Sequence, residues 1–183
     1  MGNHTCLYYD SEKSLLEMVS CFFDQGLRSN ALCLWVMPSS LKVEVAKAAL
    51  RNKIKDLDTY IEKHQLELLS PEDVYLKGGV FNPDDALAFY GNKETDALSR
   101  SYSGLYVSGD ASWLDKKDWE KLVNYEKEAD RWISQSTITA LCTYPSHKFD
   151  ASHLFSLSFS HNLIIKGSEG KTDILINKRD IFK

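Results

Sequence analysis

The residues best able to do chemistry in this chain are a scatter of acids, hydroxyls, imidazoles and thiols whose spacing fits none of the demanding motifs. A phosphate-binding loop needs Gly-x-x-x-x-Gly-Lys-Ser/Thr, because its backbone amides must wrap the phosphates closely. The stretch that stands where such a loop would, Tyr9-Asp10-Ser11-Glu12-Lys13-Ser14, keeps a Lys-Ser pair but holds no glycine. Asp10 and Glu12 would also repel a triphosphate. Gly-x-Gly-x-x-Gly, Gly-x-Ser-x-Gly and His-Glu-x-x-His do not occur, so nicotinamide binding, α/β-hydrolase chemistry and zincin chemistry have no support. The expectation is a protein that is not an enzyme. Asp110 and Glu126 admit two readings. They can be an acid–base pair or the holders of a hydrated metal; the favoured reading is a loop aspartate capping the next turn and a helix glutamate on a solvated face.

The four cysteines, at positions 6, 21, 33 and 142, form no Cys-x-x-Cys pair, and three lie in strongly apolar surroundings. They read as small buried hydrophobes, kept reduced in a cytoplasmic chain. Spacing gives no support to a metal held by Cys6, Cys142 and a histidine, so neither a metal nor a cofactor is expected. His4 and His161 read as surface or satisfied core histidines, and Trp35, Trp119, Trp132 and Cys142 as core. Trp113 differs, because it follows Gly109-Asp110-Ala111-Ser112 in a loop where an exposed aromatic needs a reason. Tyr144 ends a buried strand and is placed to aim its hydroxyl into a pocket.

These residues must be positioned by a series of alternating elements. Residues 5–9 are β-prone, and Leu15, Leu16, Val19, Phe22 and Phe23 then recur at helical spacing after a cap at Asp10 or Ser11. Residues 31–37 form an uninterrupted apolar run, the mark of a strand covered on both faces. Ser39 or Ser40 then caps a helix with Val43, Val45, Ala46, Ala49 and Leu50 as its stripe. A short helix over 56–64, a strand over 66–69 and an irregular stretch over 71–80 follow. Asn82-Pro83-Asp84-Asp85 starts a helix expected to reach about Tyr102. Strands over 104–109 and 137–143 bracket a long amphipathic helix over 117–133, and 151–161 is helical by pattern. Residues 162–166 and 173–176 flank a Gly-rich turn and read as a hairpin, or as a strand running into a tail. The expected division is a domain over 1–166 and a hairpin strand or linker tail over 167–183.

Such alternation predicts an α/β fold with a mainly parallel sheet and helices on both faces. In these sheets ligands bind beyond the carboxyl ends of the strands. That rule brings Tyr9 and Asp10, Pro38 and Ser39, Asp110 to Trp113, and Thr143 and Tyr144 to one edge. Composition agrees with one domain: 183 residues, 22 basic against 26 acidic and a net charge of −4, mixed along the chain. No basic block suits nucleic acid, no apolar run suits a membrane, and the first residues do not resemble a signal peptide. A cytoplasmic location is therefore expected.

Several segments in order resemble one family. They are residues 4–10 (His-Thr-Cys-Leu-Tyr-Tyr-Asp), 33–38 (Cys-Leu-Trp-Val-Met-Pro), 74–83, Gly109-Asp110-Ala111-Ser112-Trp113, residues 118–126, and Ala140-Leu141-Cys142-Thr143-Tyr144. Together, over residues 4–165, they resemble the MEDS domain, the methanogen/methylotroph DcmR-type sensory domain. The resemblance implies a RecA-like fold without its nucleotide loop, acting as an input module for histidine kinases, PAS domains or other regulators. It also implies ligands that are simple hydrocarbon or one-carbon derivatives. Where the family commonly carries Glu, this chain has Asp110, one methylene shorter. The small-molecule site expected from residues and resemblance together comprises His4, Tyr9, Asp10, Asp110, Ser112, Trp113, Glu126 and Tyr144. A homodimer is compatible with a sensor input. The competing readings are a protein-interaction module with a filled site, and a nucleotide binder using Lys13, Ser14 and Asp110.

Overall fold

The computed structural model describes residues 2–177. Seven strands form one sheet: β1 (Asn3–Tyr9), β2 (Leu32–Val36), β3 (Leu66–Leu69), β4 (Leu105–Asp110), β5 (Ile138–Pro145), β6 (Leu163–Ser168) and β7 (Lys171–Asn177). Their order is β3-β2-β4-β5-β1-β6-β7. Every pairing is parallel except β6 with β7, a hairpin that closes one edge. β7 thus belongs to the same sheet as β1, while the part of the expected tail over 178–183 lies outside the described residues.

The helices are α1 (Glu12–Arg28), α2 (Val43–Arg51), α3 (Leu57–Glu62), α4 (Pro71–Val74), α5 (Pro83–Ser99), α6 (Trp119–Ile133) and α7 (Ala151–Leu157). They divide between the two faces, as the period-2 alternation of the strands requires. Leu7 and Tyr9 of β1 pack into one core with Leu15, Val19 and Phe23 of α1 and Ala46 and Leu50 of α2. Cys6 and Tyr8 face the other core, with Tyr90 of α5, Leu122 and Tyr125 of α6, and Leu157 of α7. β2 lies between two other strands and under both helix layers, and all five of its residues are buried.

Local signals explain most boundaries. Ser11 caps α1 by accepting the Ser14 amide, and Ser14 Oγ accepts the Ser11 amide in return. Asn82 caps α5 with Pro83 at its first position. Several expectations need correction. α2 begins after Lys42 rather than after Ser39 or Ser40, and Val43 and Val45 are 41% and 40% exposed, leaving Ala46 and Leu50 as its buried stripe. α5 stops at Ser99, where Ser101 takes a left-handed conformation. The stretch over 71–80 holds α4, opened by Ser70 and Pro71, the same signal that opens α5. α7 is shorter than the 151–161 pattern, because residues 158–160 turn back toward β6.

Phe23 is fully buried and packs its ring against Phe22 and Trp35. Phe23→Ala should lower unfolding stability by about 3–5 kcal/mol in a denaturant titration. Phe155→Ala, at a side chain 64% exposed, should change it by no more than about 0.5 kcal/mol. Equal costs would contradict the packing described.

Candidate functional site

β1 and β5 run side by side with Cys6 opposite Cys142 and Tyr8 opposite Tyr144. Since side chains alternate, His4, Cys6 and Tyr8 share a face with Ala140, Cys142 and Tyr144. α6 crosses that face with Leu122, Tyr125, Glu126, Ala129 and Ile133 turned inward. Glu126 therefore sits in the middle of the buried stripe, only 3% exposed, which corrects the solvated-face reading. Asn162 fixes the fourth wall: its amide donates to the His4 carbonyl at 2.7 Å and its side-chain oxygen accepts the His4 amide at 3.0 Å. The neighbouring His161 is thereby held against His4, ring centroids 4.0 Å apart.

The result is a buried polar cluster. Glu126 Oε1 accepts the Tyr144 hydroxyl at 2.7 Å, while Oε2 lies 3.2 Å from His4 Nε2 and 3.5 Å from His161 Nε2. Cys142 Sγ is 3.3 Å from His4 Nε2 and 3.8 Å from Glu126 Oε2. His161 Nδ1 donates to the Leu157 carbonyl at 2.9 Å, and His4 Nδ1 lies 3.4 Å from Asp130 Oδ1.

Burial works against a charged Glu126, but His4 and the Tyr144 hydroxyl overcome it and hold its pKa below the usual glutamate value. Burial pushes the Cys142 thiol up to about 11, with Glu126 adding to the effect. Burial, and then His4, pushes His161 down to about 3. His4 is desolvated too, yet the surrounding sulfur and the carboxylates of Asp130 and Glu126 keep its pKa well above the ordinary value. One inward-facing set of two imidazoles, a carboxylate and a thiol has the donor types that divalent transition metals use.

A small cavity adjoins this cluster between the sheet and the α5–α6 pair. Its polar end is His4, Glu126 and Cys142, and its walls include Tyr75, Leu87, Tyr90, Val107, Tyr125 and Trp132. The volume open to the centre of a water-sized body is ≈ 20 Å³, room for about one such body. Cys142 lies in the core yet keeps some accessibility because it lines this space. Gly109 forms part of the floor, and a Cβ there would overlap the hydroxyl of Tyr75. That hydroxyl shares a 2.7 Å hydrogen bond with the hydroxyl of Tyr90.

The eight residues expected to form one small-molecule site are divided among several places. His4, Glu126 and Tyr144 meet in the cluster, inside the sheet–helix layer rather than beyond the strand ends. Tyr9 and Asp110 meet elsewhere: Asp110 Oδ2 accepts the hydroxyls of Tyr9 at 2.9 Å and Thr143 at 2.8 Å, and Oδ1 accepts the Ser112 amide at 2.8 Å. Asp110 is 1% exposed with both oxygens engaged, so it ties three loops and strands together. Ser112 takes part through its backbone, and its carbonyl accepts Lys148 Nζ. Trp113 stacks on Tyr75, centroids 5.1 Å apart, as an outer layer of the aromatic core. Asp10 is exposed, accepts Ser14 Oγ at 3.3 Å and lines a shallow groove with Pro38 and His147. Sequence reasoning left out Cys142 and His161. Their signal was structural: Cys142 is two residues from Tyr144 on the same strand face, and His161 directly precedes the Asn162 clamp.

The strand order, the parallel pairing and the capped, glycine-free β1–α1 turn define a domain of RecA-like α/β fold. The profile of the MEDS family, the "MEthanogen/methylotroph, DcmR Sensory domain", matches residues 3–162, and the chain belongs to that family. A KaiC-like protein from the hyperthermophilic archaeon Pyrococcus horikoshii superposes with a TM-score of 0.58 at 9% identity, covering 96% of this chain and 79% of its own. An uncharacterised P. horikoshii protein, in complex with an unknown peptide, gives a TM-score of 0.65 at 14% identity, covering 95% and 83%. At such identities the likeness shows the fold alone. No curated protein matches the chain significantly. Among the described residues, no helix is long and apolar enough to cross a membrane.

Asp110→Ala strands two hydroxyls and an amide in the interior and should cost about 2–4 kcal/mol by chemical denaturation. Asp110→Asn, which keeps an acceptor for the Ser112 amide, should cost about 1 kcal/mol. An Asp110→Ala protein as stable as wild type would show that this network contributes nothing.

Proposed function

We propose that this MEDS domain is a sensory input domain whose ligand is a one-carbon or similarly small hydrocarbon derivative, held in the cavity between the sheet and the α5–α6 pair. The observation that carries the reading is the cavity itself, with its aromatic and aliphatic walls and its polar end of His4, Glu126 and Cys142. Small-molecule sites pair apolar walls with a few convergent polar groups in this way. With ≈ 20 Å³ open to the centre of a water-sized body, the cavity takes a methylated or halogenated molecule of very few heavy atoms only as the α5–α6 layer moves outward, and excludes a metabolite. The domain works on this reading by population shift: the ligand has a higher affinity for one of two arrangements of the α5–α6 layer. A histidine kinase, PAS or other regulatory domain, or a second copy of the chain, reads the change.

Melting temperature measured against methanol, methylamine, dimethyl sulfide and dichloromethane tests the proposal. A ligand at 100 times its dissociation constant adds about 2.7 kcal/mol, which raises the melting temperature by roughly 5–10 °C for a domain of this size. Ala129→Leu, which places a larger side chain in the cavity lining, should abolish the shift. A shift that survives Ala129→Leu unchanged would move the ligand elsewhere, and no shift with any compound would overturn the reading.

A further inference from the structure

The buried cluster contains an electrostatic conflict. His161 Nδ1 must be the donor in its 2.9 Å contact, since its partner is the Leu157 carbonyl oxygen. In a neutral imidazole this leaves Nε2 as a lone pair, fully buried and with no hydrogen-bond donor. That lone pair faces Glu126 Oε2 at 3.5 Å. Two acceptors at this distance in a low-dielectric interior repel unless a cation lies between them.

The other donors are arranged for the same point. The far-side atoms of two ligand groups are anchored, His161 Nδ1 on a backbone carbonyl and Glu126 Oε1 on the Tyr144 hydroxyl, and His4 Nδ1 lies 3.4 Å from Asp130 Oδ1. These are the outer-shell contacts that orient metal-binding imidazoles and carboxylates. One ligand atom each from His4, Glu126, Cys142 and His161 lies within 4.8 Å of the other three, and the contacts among His4 Nε2, His161 Nε2, Cys142 Sγ and Glu126 Oε2 are the short ones.

Bonds of about 2.0–2.2 Å to nitrogen and oxygen and about 2.3 Å to sulfur give a tetrahedron with edges of about 3.3–3.7 Å. Four of the six edges here are 3.2, 3.3, 3.5 and 3.8 Å. A thiolate and a carboxylate also cancel the charge of a divalent ion, so the assembled site would be neutral in the core. Magnesium and calcium, which need oxygen shells of six or more, do not suit two imidazoles and a sulfur.

We propose that His4, Glu126, Cys142 and His161 form a tetrahedral site for a divalent transition metal of the zinc class. The site lies at the polar end of the cavity, but metal binding does not depend on the small-molecule reading, because the four donors complete the coordination by themselves. The two proposals fail separately: one is read by metal titration, the other by organic compounds.

The 183-residue chain is stripped with a chelator and titrated with cobalt(II), both as the folded protein and during refolding, because the site is enclosed. The expected result is one cobalt per chain, with a thiolate-to-cobalt charge-transfer band and the intense visible bands of tetrahedral cobalt, both displaced by zinc. Cys142→Ser should lose the charge-transfer band, whereas Cys21→Ser, at an exposed thiol, should keep it. Tyr144→Phe, which removes the anchor of Glu126 without touching the metal, should weaken cobalt affinity about 10- to 100-fold. The wild-type titration decides the matter even where a variant does not fold. Absence of a charge-transfer band in both preparations overturns the proposal, as does a band that survives Cys142→Ser or disappears in Cys21→Ser.

Discussion

A carboxylate in the middle of a hydrophobic stripe is the constraint on which the helix layer over this sheet depends. Glu126 is almost wholly buried beside Leu122, Tyr125 and Ala129. Removing such a charge from water costs several kcal/mol unless partners restore what the water supplied. Those partners come from two neighbouring strands: His4 from the first, and Tyr144 and Cys142 from the fifth. A helix carrying Glu126 can therefore settle in only one register over the sheet. A purely apolar stripe would tolerate sliding by a turn; in this one, sliding would carry Glu126 away from His4 and Tyr144. Breaking one partner leaves the others buried and unsatisfied, so the network links strand pairing to helix docking.

Much of the fold was legible because its signals are local. Ser11 with Ser14, and Asn82 with Pro83, announce helix starts within four residues, and the apolar run of β2 declares a strand covered on both faces. The second helix shows where such reading fails. Ser39 and Ser40 are good caps by type, yet the chain makes a turn through them and starts the helix at Val43, since Leu41 must reach the core under α1. Glu126 failed for a related reason. It is flanked by Asn124, Lys127 and Glu128, which read as a solvated face, although the spacing of Leu122, Ala129 and Ile133 places it inside. His4 and His161 are far apart in sequence, and only the Asn162 clamp on β1 reveals that they meet.

The rule that places ligands beyond the carboxyl ends of parallel strands points to an edge whose polar groups are already paired with one another. At that edge Tyr9, Asp110 and Thr143 satisfy one another, and Ser11 with Ser14 close the first helix turn. A RecA-like domain with a phosphate loop offers free amides at that turn. Here the Ser11 and Ser14 amides are taken by each other's side chains, and unsatisfied polarity lies deeper, against the α6 layer. The polar centre and part of the aromatic cavity wall, Tyr125 and Trp132, thus share one helix.

That sharing determines how an occupied cavity would be felt. Tyr125, Ala129 and Trp132 of α6 touch the cavity, while Glu126 on the same helix faces His161, which leads through Asn162 into β6. β6 continues directly into the antiparallel edge strand. On the proposed reading, an occupant that favours one seating of α6 changes the distances within the Glu126 cluster before it changes anything else. The cluster is stiff, because its groups are buried and Glu126 is hydrogen-bonded to Tyr144 and Cys142, and two-state polar networks respond to displacement by switching partners. The path from cavity to sheet edge then runs through His161 and Asn162, two adjacent residues, and the strand pairing of β1 with β6 is the element whose equilibrium the cavity would bias.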